Sequence, residues 1–162
     1  MKMTVLYHSK SGNTKTMAGV IAEGMNSVNG VEAKTFSIDA IEDDWLKESS
    51  CVIVGSPIYM ADMSGELKAW LAGPSMQYGL AGKIGGAFAT ADYIHGGGEL
   101  GISNALNHMM VLGMMAYSGG AMQGVPVIHL GPVALSKQLE ESREVFTTYG
   151  QRMAQKTLEI YG

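Results

Sequence analysis

The sequence has a single cysteine, four prolines and three phenylalanines among 162 residues. A lone thiol closes no intramolecular disulfide, and no Cys/His cluster suits a metal, so no metal site is expected. Cys51 lies within Cys51-Val52-Ile53-Val54, a setting for a thiol buried in a strand. Charge is also scarce. Asp, Glu, Lys and Arg make up 16% of the chain, and none occurs from Gly101 to Ser136. The net charge is −4 with no basic patch, which argues against a nucleic-acid partner. The charge-free stretch is interrupted by Asn104, Asn107, His108, Ser118 and Gln123 and does not read as a membrane span. The first apolar run is short and ends in His8-Ser9-Lys10, unlike a secretory leader, so a cytoplasmic location is expected. No G-x-x-x-x-G-K-[ST] loop is present to hold a triphosphate.

Hydrophobic residues make up 46% of the chain, enough for a globular protein, and the length predicts one domain over residues 1–162. The most informative stretch is Ser9-Lys10-Ser11-Gly12-Asn13-Thr14. It follows the apolar run Met3–His8 and precedes a helical pattern in which Met17, Val20, Ile21, Gly24, Met25 and Val28 share one face. A hydroxyl-rich loop between a strand and a helix start can cradle a phosphate, because the first helix amides lack partners and the helix dipole is positive there. Helix capping alone would explain one such residue. Four hydroxyl or amide side chains with a glycine among six residues favour a monophosphate site. Lys10 either approaches that phosphate or projects into water.

Further along, strands are expected over Val31–Ile38, Cys51–Gly55 and Ile84–Thr90, and a fifth over Met114–Tyr117 that continues or resumes at Pro126–Leu130. Helices are expected over Asp39–Lys47, Met63–Leu71, Glu99–Leu112 and from Ser136 to the end. Ser56–Met60, with Pro57, is expected to be a loop. Alternating strands and helices predict an α/β sandwich around a parallel sheet, with loops 9–14, 56–62 and 91–98 along one sheet edge. Gly96-Gly97-Gly98-Glu99-Leu100-Gly101 matches G-x-G-x-x-G, but no acidic residue follows about twenty positions later, so it is not taken as a dinucleotide site. The charge-free stretch reads equally as a buried helix plus central strand or as a subunit contact.

Tyr7–Thr14 resembles the phosphate loop of the flavodoxin-like flavoproteins, and Gly55-Ser56-Pro57-Ile58-Tyr59-Met60 resembles their next cofactor loop. The resemblance spans nearly the whole chain. Within that family, His95-Gly96-Gly97-Gly98-Glu99 is most similar to the tryptophan-repressor-binding-protein type of NAD(P)H:quinone oxidoreductase. The resemblance implies a flavodoxin-like three-layer sandwich with a five-stranded parallel sheet of order 2-1-3-4-5, with FMN at the point where strand order reverses. By the same resemblance, Ser9, Lys10, Ser11, Gly12, Asn13 and Thr14 would hold the FMN phosphate. Pro57, Ile58, Tyr59 and Met60, with Thr90, Ala91, Asp92, Tyr93, His95 and Gly96, would hold the ring and ribityl chain. Tyr59 or Tyr93 would stack on the ring, and His95 reads equally as a group that hydrogen-bonds the flavin or protonates a bound quinone and as a solvent-exposed loop histidine. Asp92 is read equally as a ribityl contact or a turn residue, and His8 as structural.

The implied function is FMN-mediated reduction of a quinone or similar small-molecule acceptor by NAD(P)H, with Tyr93 and His95 as the catalytic pair. The alternative is an electron carrier serving redox partner proteins without turning over a substrate. A third reading is a binding module that keeps the fold without redox function. No nucleic acid or membrane is expected as a partner. A homo-oligomer, associating through the charge-free stretch, is expected.

Overall fold

The computed structural model describes all 162 residues, Met1–Gly162. The apolar runs pair as parallel strands. β1 (Lys2–Tyr7) lies between β2 (Glu32–Ser37) and β3 (Cys51–Tyr59), and β5 (Ile84–Ala91) lies beyond β3. The next position is shared by two fragments. β6 (Met115–Ala116) pairs with Ile84 and Gly85 at the start of β5, and β7 (Val133–Leu135) pairs with Ala89 to Ala91 at its end. The expected order therefore holds by position, with seven strands rather than five, because the fifth is split and the short β4 is added. β4 (Asp62–Met63) is the exception to parallel pairing and folds back on β3 as a hairpin.

Five helices cover both faces. α1 (Asn13–Asn26) and α5 (Arg143–Tyr161) pack on one side, and α2 (Asp43–Glu48), α3 (Gly65–Ala72) and α4 (Gly98–Val111) on the other. β1 shows why both layers form: Met3 and Val5 point into the α1/α5 core, whereas Leu6 points into the opposite one. Cys51 is buried in the first core, and burial pushes its thiol up to about 12, so it stays protonated and inert. No helix is long and apolar enough to cross a membrane.

Several boundaries depart from expectation. β3 runs on through Pro57, Ile58 and Tyr59, which the sequence assigned to a loop. Proline is tolerated because His8 donates to the Gly55 carbonyl, so that edge of β3 faces β1, and β1 has ended before Pro57, which faces the same way. α3 starts at Gly65 because Met63 belongs to β4 and Ser64 caps the helix. α2 starts at Asp43, and α5 at Arg143 rather than Ser136, whose hydroxyl is bonded elsewhere. The fifth strand resumes at Val133, not at Pro126.

The reason lies in Arg152 of α5. Its buried guanidinium has no carboxylate partner and donates instead to four backbone carbonyls of the segment that splits the strand: Pro126 at 3.0 Å, Gly124 at 3.1 Å, Gln123 at 3.3 Å and Gly119 at 3.4 Å. These bonds hold residues 117–132 in a fixed irregular path. Arg152→Met leaves the carbonyls without a donor and is expected to cost about 2 kcal/mol of stability. Hydrogen exchange should then accelerate selectively at 117–132, and an unchanged exchange pattern would contradict the clamp.

Candidate functional site

The loop between β1 and α1 turns into its helix at Gly12, which has φ +95°. A side chain there would meet no atom within 4 Å, so the backbone angle selects glycine, not lack of space. The Gly12 amide donates to Ser9 Oγ at 3.1 Å and its carbonyl accepts from the Thr16 amide. No side chain caps α1, and the amides of Asn13, Thr14 and Lys15 have no acceptor in the protein. Thr14 is buried, with Oγ1 2.8 Å from Thr90 Oγ1 at the end of β5. That contact uses one of the two hydroxyl protons and leaves the other to donate. Unpaired amides, the positive end of a helix dipole and free hydroxyls make this loop an anion cradle.

Lys10 is not aimed into the cradle. Its ammonium lies 2.9 Å from Glu66 Oε1 on α3 and 5.5 Å from the centre of the Tyr59 ring. The hydrogen bond between them raises the pKa of Lys10 and lowers that of Glu66. His8 is structural, as expected. Its Nδ1 lies 2.9 Å from Ser64 Oγ, which caps α3, and the Ser64 amide donates to Ser56 Oγ at 2.8 Å. The cradle is thereby tied to the root of the β3–β4 hairpin.

That hairpin turns at Met60 and Ala61, whose φ angles are +52° and +60°. Positive φ at both central residues matches the twist of paired strands, but for non-glycine residues it costs roughly 1–2 kcal/mol each. Asp62 holds the turn. Its Oδ1 accepts from the Met63 amide and Asn104 Nδ2, both at 2.8 Å, and its Oδ2 from Lys68 Nζ at 2.9 Å. The Asn104 and Lys68 bonds hold its carboxyl below the usual range, so this anchor is present above the ordinary carboxylate pKa and fades as pH falls below it.

The third loop leaves β5 at Ala91. The Ser136 amide donates to the Ala91 carbonyl at 2.9 Å, and the Ser136 hydroxyl donates to Asp92 Oδ1 at 2.7 Å. Asp92 is thus fixed by β7. Tyr93 and His95 are both exposed, with their rings stacked 6.4 Å apart. Ile58, Tyr59, Met60 and Ala61 on one side and Ala91, Asp92, Tyr93 and Gly96 on the other enclose a cavity of about 420 Å³. Its walls are mostly apolar, which suits a flat aromatic ring. A cavity of about 400 Å³ surrounds Lys83 at the opposite sheet edge, but that ammonium is spent on the carbonyls of Leu46, Lys47 and Ser49.

The glycine run after His95 serves packing. A Cβ at Gly97 would lie 2.6 Å from Ala61 Cα, one at Gly98 2.8 Å from Val133, and one at Gly101 2.4 Å from Ile58. These glycines seat the first turn of α4 against the hairpin and β7. The structure thus brings the three expected loops together, with Lys10 turned aside. Sequence reasoning missed Ser64, Glu66, Asp62, Asn104 and Ser136. Only Ser64 carried a local signal, as a capping residue ahead of an apolar run.

A flavodoxin domain matches residues 4–75, and an NADPH-dependent FMN reductase family matches residues 43–126. A flavodoxin of Clostridium saccharobutylicum is 40% identical over 99% of this chain and 100% of its own. The chain belongs to the flavodoxin-like FMN-binding family. An NAD(P)H dehydrogenase (quinone) of Geotalea daltonii is 31% identical over 73% of each chain. The solved structure of a flavodoxin from the domain Archaea superposes with a TM-score of 0.78 at 27% identity, covering 98% of this chain and 99% of that one. These flavodoxin-like matches agree with the α/β sandwich seen here, and the donor set fits a phosphate monoester.

Ser11→Ala combined with Thr14→Ala removes two hydroxyl donors at the helix start. At about 1 kcal/mol or more each, FMN binding should weaken roughly thirtyfold while the fold is retained. An unchanged dissociation constant in calorimetry would remove the cradle from the account.

Proposed function

We propose that this protein is an FMN-dependent electron-transfer protein of the flavodoxin type, passing electrons between redox partner proteins. The open amides of Asn13, Thr14 and Lys15, with the side chains of Ser9, Ser11, Asn13 and Thr14, hold the phosphate. Pro57 to Met60 and Thr90 to Gly96 hold the ring and ribityl chain. Bound FMN supplies the redox chemistry, and the chain supplies its binding and surroundings. Tyr59 and Tyr93, one in each loop, are placed to cover the ring, while Lys10, held by Glu66, lies over the Tyr59 ring.

The observation that carries this reading is the mouth of the cavity. Met60 at the hairpin tip is 99% exposed and Ile94 in the facing loop is 82% exposed, so the cavity is rimmed by protruding apolar side chains. Such a rim can meet the surface of another protein. Lys10 is paired with Glu66 and Lys68 with Asp62 beside it, and Asp92 in the cavity wall is bonded by the neutral Ser136 hydroxyl, so the rim presents few free charges for docking. Full-length similarity to a flavodoxin supports the same reading.

A second reading is NAD(P)H-dependent reduction of a quinone or similar acceptor. The stacked Tyr93 and His95 at the mouth favour it, with the tyrosine ring packing against a flat acceptor and the imidazole delivering its proton. The match to the FMN reductase family and the likeness to the quinone dehydrogenase support it.

An anaerobic absorbance titration of the FMN-loaded protein separates the two. The carrier reading predicts no bleaching by NADPH or NADH and reduction by dithionite in two resolved one-electron steps. Rapid full bleaching by either nucleotide, reversed by a quinone, would overturn it in favour of the reductase.

A further inference from the structure

We propose that Glu66 is a positioning residue for the flavin site: it holds the Lys10 ammonium off the phosphate cradle and over the Tyr59 ring, so that this cation acts on the flavin ring. The proposal rests on the FMN reading above. Lys10 is the only lysine or arginine in the three loops 9–14, 56–62 and 91–98. Its backbone belongs to the cradle loop, and a flexible four-carbon stem gives its ammonium a wide reach around that loop. The structure nevertheless places it 2.9 Å from Glu66 Oε1 and 5.5 Å from the centre of the Tyr59 ring.

The carboxylate is the fixed member of the pair. Glu66 lies in the first turn of α3, where the helix dipole favours negative charge. Hydrogen bonds from Lys10 and from its own amide hold its carboxyl below the usual range. His8 faces it as well. Ser64 Oγ accepts from the Leu67 amide at 3.3 Å, and the acceptor for its own proton is His8 Nδ1, 2.9 Å away. That pattern assigns the proton of the neutral imidazole to Nε2, which lies 3.9 Å from Glu66 Oε1. His8 is buried and Ser64 caps α3, so the surroundings of the carboxylate are set by the fold. Lys10, with 62% of its side chain exposed, is the member free to move.

The two places a lysine can occupy here have different consequences. At the phosphate it strengthens binding, which the open amides of Asn13, Thr14 and Lys15 already provide. Over Tyr59, which lines the ring cavity, its charge favours each electron added to a flavin behind that ring. Lys15, exposed on the first turn of α1, is common to every variant below and cancels from their comparison.

Calorimetric titration of the cofactor-free protein with FMN and with riboflavin gives a ratio of affinities that isolates the share of the phosphate. Lys10→Met should leave this ratio at its wild-type value but lower the midpoint potential of the bound flavin, because the cation over Tyr59 is lost. Glu66→Gln should raise the ratio about threefold, the scale of an exposed ion pair, as Lys10 turns to the phosphate. That gain should fade as salt is added and disappear when Lys10→Met is combined with it. A ratio lowered by Lys10→Met, an unchanged potential in that variant, a ratio unmoved by Glu66→Gln, or a gain that persists in the double variant would each overturn the proposal. A wild-type ratio near one would overturn the cradle itself, and the proposal with it.

Discussion

The start of α1 is the constraint on which the rest of the site depends. Three successive helix amides, on Asn13, Thr14 and Lys15, have no acceptor in the protein, and no side chain caps them. In the free chain they are left to solvent, and an anion at that end of the helix can satisfy them together. Gly12 sets the angle at which they face out, and the buried contact between Thr14 and Thr90 joins the helix start to β5. The family's phosphate-bearing cofactor answers the constraint directly.

The two loops that flank the cavity are held from behind. Asp62 gathers the hairpin, α3 and α4 through its own backbone, Lys68 and Asn104. Ser136 ties the 92–97 loop to β7, and His8 ties the cradle to the cap of α3. The strained pair Met60 and Ala61 is tolerated because these anchors and the close seat of Gly97 on Ala61 fix the turn from several directions. The exposed tips thus stand on a scaffold that is tied from behind. The split of the fifth strand serves the same end, since β7 is what carries Ser136 to the sheet edge.

Much of this was legible in the sequence because it is local or periodic. The strand–loop–helix at residues 3–28, the continuous apolar runs of β3 and β5, and the placement of three loops on one edge follow from residue spacing alone. What was not legible depends on partners far apart in the chain. Pro57 reads as a strand breaker until it is known that β1 has already ended beside it. Lys10 reads equally as a phosphate neighbour or a lysine in water until Glu66, 56 positions later, is brought beside it. The split of the fifth strand follows from Arg152, which lies beyond the segment it shapes, and no pattern within 117–132 announces it. The glycine run at 96–101 resembles a nucleotide motif because close packing and phosphate approach both require a missing side chain.

The open amides at the start of α1 concentrate the flavin's binding energy on its phosphate. Calorimetric titration of the cofactor-free protein with FMN and with riboflavin, which differ by that phosphate, tests it most directly. FMN should bind about a hundredfold tighter or more, as two or more charge-assisted hydrogen bonds require. Equal affinity for the two flavins would contradict it.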